Sequence, residues 1–193
     1  MSAGSSIRVS CLVLLAVVFA TSWTVPPCRA ASGPEIDAEV QSTLAEFFAK
    51  VGFARALANR SVAILVFPTV LKAGFGIGGE YGEGSLQIRG QTAGYYNIIS
   101  GSIGFQLGAQ ARSVIIMFMT DQALTQFQAT DGWKVGIDGS ITVIAIGVGG
   151  AIDTNSITSP IVGFIFDQKG LMYNLTLEGS KISRIERYRQ PAP

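Results

Sequence analysis

The 193-residue chain has no histidine, which excludes a Ser-His-Asp triad and every histidine-containing zinc site. Its cysteines, Cys11 and Cys28, both precede residue 31, so a chain beginning there has no thiol nucleophile, no cysteine metal site and no disulfide. Charge is also scarce, at 14% Asp, Glu, Lys and Arg. Two of the 14 basic residues, Arg8 and Arg29, precede residue 31, leaving 12 against 13 acidic ones. A net charge near −1 lacks the basic excess that nucleic-acid binding requires.

What the chain does have is apolar length and glycine. The mean hydropathy is +0.41 and there are 23 glycines, so the chain is too apolar for disorder. Arg8, the apolar run Cys11-Leu-Val-Leu-Leu-Ala-Val-Val-Phe-Ala20, Pro26-Pro27 and Cys28-Arg-Ala30 follow the order of a secretory signal. Cleavage is expected after Ala30, with the product exported to the periplasm or cell envelope. The run is too short for a spanning helix, which takes about 20 apolar residues. Lipidation of Cys28 is disfavoured, because bulky Pro27 stands where a small residue is normally required.

Ser32-Gly-Pro-Glu35 reads as a helix-starting capping box. Ile36, Val40, Leu44, Phe47, Phe48 and Val51 then form one helical stripe, opposite an acidic face of Glu35, Asp37, Glu39 and Glu46. Phe53 to Ala58 suggests a second short helix. From Ser61 the pattern becomes β: Val62 to Phe67, stopped by Pro68, then Gly74 to Tyr81, Ser85 to Arg89, Ala93 to Gln110 and Val114 to Met119. Thr120-Asp121 caps a short helix near 121–129. Ile141 to Ile152 and Pro160 to Phe166 read as strands, and Leu171 to Leu177 follows a turn at Asp167-Gln-Lys-Gly170.

Glycines inside apolar strands imply bends and close backbone approach. The expected class is therefore α+β: a mainly antiparallel, twisted, barrel- or sandwich-like sheet with N-terminal helices. One domain is expected over 33–186, with a loose tail at 187–193. A membrane β-barrel is disfavoured, because Ile141-Thr-Val-Ile-Ala-Ile-Gly-Val148 does not alternate apolar and polar residues.

Two catalytic or cofactor signals are weak. Gly74-Phe-Gly-Ile-Gly-Gly79 fits a dinucleotide loop, but Glu80-Tyr-Gly-Glu-Gly-Ser85 after it is a poor helix with two carboxylates that would repel a pyrophosphate. The carboxylate pairs Glu80/Glu83 and Asp131/Asp138 sit in glycine-rich stretches that read as solvated turns. No enzyme activity and no cofactor are expected.

Five segments carry a family likeness: Phe67-Pro-Thr-Val-Leu-Lys-Ala-Gly-Phe75; Thr92-Ala-Gly-Tyr-Tyr96 with Gly104-Phe-Gln-Leu-Gly-Ala-Gln110; Val114 to Leu124; Phe166-Asp-Gln-Lys-Gly-Leu171; and Leu177-Glu-Gly-Ser-Lys-Ile182. In this order they resemble the SYLF domain, over about residues 45 to 185. The resemblance implies a non-enzymatic module that binds anionic phospholipids, phosphoinositides among them, with actin binding in some eukaryotic members. An exported chain would not meet actin, and the first helix here is acidic where eukaryotic members are basic. The expected lipid-binding residues are Lys72, Lys169, Lys181 and Arg184, the last two in a basic cluster with Arg187 and Arg189. Trp133 is expected either as an interfacial anchor or in the core. The competing expectation is a structural or protein-interaction module of the cell envelope.

Overall fold

The computed structural model describes residues 31–146, 158–170 and 177–187. The expected signal segment, residues 147–152 of the strand expected over 141–152, residues 171–176 of the segment expected over 171–177, and residues 188–193 of the expected tail lie outside the described residues. Among the described residues, three helices precede or punctuate the strands: α1 (Gly33–Lys50), α2 (Ala54–Arg60) and α3 (Asp121–Ala129). The strands are β1 (Ala63–Ile88), β2 (Gln91–Phe118), β3 (Trp133–Lys134), β4 (Thr142–Ala145), β5 (Ile161–Gly170) and β6 (Lys181–Ile185). They form a curled, mostly antiparallel half-barrel, in the α+β class expected.

Its organising element is one long hairpin. β1 and β2 pair from Ala63↔Phe118 to Ile88↔Gln91 and close through a two-residue turn, Arg89-Gly90. The other edge of β2 is shared: β6 pairs with its first part, from Tyr95↔Ile185 to Ile99↔Lys181, and β5 with its last part, from Gln110↔Gly170 to Phe118↔Ile161. β3 extends the β6 side, and β4 runs parallel to β5.

The several short strands expected between Val62 and Met119 are thus two long ones. Pro68 does not end β1, because Pro68 and Thr69 bulge out opposite a single residue, Ser113. That bulge spares the ladder a missing N–H donor, and the Ser113 hydroxyl donates to the Pro68 carbonyl at 2.7 Å. The turn expected at Asp167 to Gly170 is likewise a bulge within β5: Asp167 and Gln168 oppose one residue of β2, with Asp167 at φ 52°.

The hairpin also folds back on itself, and glycine permits it. A Cβ on Gly82 would lie 2.8 Å from the Thr69 carbonyl oxygen, and one on Gly84 only 1.9 Å from that of Val66. At the bend, a Cβ on Gly74 would lie 2.6 Å from the Gly78 Cα. The inner face so enclosed holds Leu65, Phe67, Val114, Ile116, Leu86, Ile98 and Ile182, closed off by Leu124 and Phe127 of α3. The Thr120 hydroxyl caps α3, accepting from the Ala123 N–H at 3.2 Å.

A second core lies on the outer face, where Ile36, Val40, Leu44 and Phe47 of α1 cover Val66, Ile115, Met117, Phe164 and Phe166. The α1 start is as expected: the Ser32 N–H and hydroxyl donate to the Glu35 carboxylate at 2.6 and 2.8 Å. Asp37, expected on the solvated acidic face, instead latches the helix to the sheet, accepting from the Thr92 and Tyr95 hydroxyls at 2.8 Å each. Replacing Asp37 by Ala removes both of these hydrogen bonds to a carboxylate, which costs about 2 kcal/mol and lowers Tm by roughly 4–8 °C. Asp37→Asn should retain most of that stability. Hydrogen exchange should rise mainly in the first two turns of α1, and unchanged exchange there would refute the latch.

Candidate functional site

Val51 closes α1 and Ser61 closes α2, so the chain turns twice before it enters the sheet. The two helices and the β1–β2 turn enclose a surface cleft of about 450 Å³. Leu44 and Phe48 from α1 and Ile64 from β1 supply apolar walls, and Gln87, whose amide donates to Ser85 and Thr92, closes one end. This volume lies in the usual range for small-molecule and headgroup sites.

Two arginines define its electrostatics. Arg55 of α2 lies over the Phe48 ring, 4.8 Å from the centroid, a cation–π contact that holds the guanidinium across the cleft. Arg89 occupies the hairpin turn. Arg89 and Gly90 have φ of 53° and 75°, the twist of a tight hairpin that normally prefers Asn-Gly. An arginine in left-handed backbone costs about 1–2 kcal/mol. Both arginines line the cleft and no carboxylate does. Neither forms an ion pair among the described residues. The site can therefore take an amphiphile, with its anionic group on the arginines and its apolar part on Leu44, Phe48 and Ile64.

The lysines and arginines expected from the sequence are dispersed. Lys72 is buried on the inner face of β1, not on a solvated turn. Lys169 lies in β5 and is paired with Asp167 at 2.9 Å, which offsets its charge. Lys181 and Arg184 are exposed on β6 but three positions apart, so strand alternation sends them to opposite faces. Lys181 stands in one cross-strand row with Lys134, Ile99 and Tyr81 on the outer face. Arg184 lies beside Tyr96, whose phenol is raised by burial and lowered slightly by that charge. Arg187 is not part of a loose tail: it is ion-paired with Glu83. Arg189 lies outside the described residues. Trp133 is 1% exposed and stacks edge-on against Phe127 at 5.6 Å, a core position that cannot reach an interface.

The carboxylate pairs are not poised for acid–base work. Glu80 is ion-paired with Arg112, and Asp138 accepts from the Lys134 N–H at 2.6 Å. Glu83 also accepts from Tyr81, whose phenol is raised first by burial and then by that bond. The glycine motif at 74–79 lies within β1, with no helix following it. Among the described residues, no cluster of three or more His, Cys, Asp or Glu could hold a metal, and no helix is long and apolar enough to cross a membrane.

Arg55 and Arg89 escaped the sequence reading because each stands alone there, one in a short helix and one ending a strand segment. The faint signal was Arg89-Gly90 between two β runs, a tight turn with an unusual first residue.

Residues 99–188 match the family model described as Ysc84, Las17-binding protein actin regulator. A search of curated proteins found no match. The matched stretch begins on β2 and includes β5 and β6, whereas the cleft residues precede it. Lipid and actin binding are the activities associated with this family, which is one of binding modules. Residues 99–188 of the chain thus match the Ysc84 (SYLF) domain family that the five sequence segments resemble.

Proposed function

We propose that this protein is a non-enzymatic module that binds acidic phospholipids at a membrane surface, on the extracytoplasmic side after export. One observation carries the reading: a cleft with apolar walls, two arginines without carboxylate partners among the described residues, and no acidic residue in its lining. Arg89 at the rim and Arg55 across the cleft would take the phosphate, and Phe48, Leu44 and Ile64 the glycerol and first acyl carbons. Each exposed cation near an anionic surface adds about 1 kcal/mol. Export separates the chain from actin, so lipid is the partner this reading favours.

Co-sedimentation with liposomes tests it. Binding is expected to vesicles containing anionic lipid, to be absent from zwitterionic ones, and to weaken with salt. Arg55→Gln with Arg89→Gln should weaken it about 30-fold, the effect of two charges at about 1 kcal/mol each. Lys169→Gln, whose charge is already paired, should change little. Equal binding by wild type and the double variant, or none by wild type, would sink the reading. The second outcome favours a protein partner in the envelope.

A further inference from the structure

The inner face of the folded hairpin carries a group of polar side chains that the cleft does not use. Lys72 and Gln110 are direct cross-strand partners, so they share that face, and Arg112 follows next on it opposite Val70. The fold-back at Gly82 and Gly84 brings Glu80 across to pair with Arg112. All four are nearly buried: Lys72 is 5% exposed, Glu80 4%, Gln110 3% and Arg112 3%.

Among the described residues, Glu80 is the one buried carboxylate, against the two buried cations Lys72 and Arg112. The Arg112–Glu80 pair is formed, but Lys72 has no ion-pair or hydrogen-bond partner among the described residues. Beside it, both the Nε2 and the Oε1 of Gln110 are buried without a hydrogen bond. A buried amide left unpaired opposes folding. Few natural interiors keep such groups unless something satisfies them.

We infer that Lys72 and Gln110 form a second, interior binding site for one oxyanion, a phosphate or a carboxylate. The ammonium supplies the charge, the Gln110 amide N–H donates to the anion, and the Gln110 oxygen accepts from Lys72. Arg112, held by Glu80, adds positive potential from the same face. The site is distinct from the arginine cleft and does not rest on it.

Thermal unfolding of the full chain in inorganic phosphate, with chloride at matched ionic strength, tests the assignment. Phosphate at a roughly tenfold excess over its dissociation constant should raise Tm by about 4 °C beyond chloride. Lys72→Met and Gln110→Leu should each abolish that rise, while Arg55→Gln with Arg89→Gln should keep it. In phosphate-free buffer Lys72→Met should match or exceed the wild-type Tm, because it removes a charge that has no ion-pair partner among the described residues and buries apolar surface in its place. Acetate in place of phosphate reports the carboxylate alternative. Binding of Lys72→Met to anionic vesicles identifies the source: retained binding marks a free anion, lost binding a lipid headgroup. No rise beyond chloride with either anion in the wild type would overturn the site, as would a rise that survives in Lys72→Met.

Discussion

Gly84→Val is expected to abolish the native fold or lower its stability by more than about 4 kcal/mol, the range reserved for severe core clashes. A Cβ there would stand 1.9 Å from the Val66 carbonyl oxygen, 2.7 Å from its carbon and 2.9 Å from a Phe67 ring atom. The first two are backbone atoms of the same strand, so no rotamer change relieves the clash. The two arms of β1 would have to separate, opening the inner core around Leu65, Phe67 and Leu86. Gly79→Ala, a few residues away in the same strand, meets nothing within 4 Å and should shift stability by less than about 0.5 kcal/mol. Urea unfolding of the two variants decides the matter. Comparable midpoints would mean that the fold-back does not depend on glycine at position 84.

The second large effect concerns the buried ion pair. Glu80→Gln should cost about 3–5 kcal/mol, the usual penalty for removing one partner of a buried pair. It takes from the buried Arg112 guanidinium its carboxylate partner. Arg112→Gln should cost distinctly less. Glu80 would keep the Ser100 hydroxyl at 3.2 Å, and Lys72 on the same inner face still supplies positive potential. Replacing both by isosteric apolar residues should recover most of the loss. Equal penalties for the two single variants would contradict the excess of positive charge inside the hairpin.

Local chemistry was legible wherever it depends on near neighbours. The Ser32–Glu35 box, the stripe from Ile36 to Val51 and the Thr120 cap were readable because their partners lie within a turn of helix. The break at Pro68 was misread for the opposite reason. Proline forbids a regular ladder position, but the partner strand supplied Ser113 opposite a bulge, and that partner is distant in sequence. Asp37 shows the same limit: helical periodicity assigned it to solvent, whereas Thr92 and Tyr95 arrive from the sheet to bind it. The basic cluster at Lys181 and Arg184 dissolved because strand alternation separates residues three apart.

By itself, then, the sequence determined the α+β class, the helix starts, the absence of histidine chemistry, and the likeness to the family whose model matches residues 99–188. It also foretold that glycines would mark close backbone approach. Only the tertiary structure decided which approach: Gly82 and Gly84 against residues 66–70. Only it paired Glu80 with Arg112, buried Lys72 beside Gln110, and set Arg55 and Arg89 around one cleft. The physical reason is common to all of these. Propensity, capping and periodicity act over a few residues, while the burial of a charge and the walls of a cleft depend on segments that meet only once the long hairpin has bent.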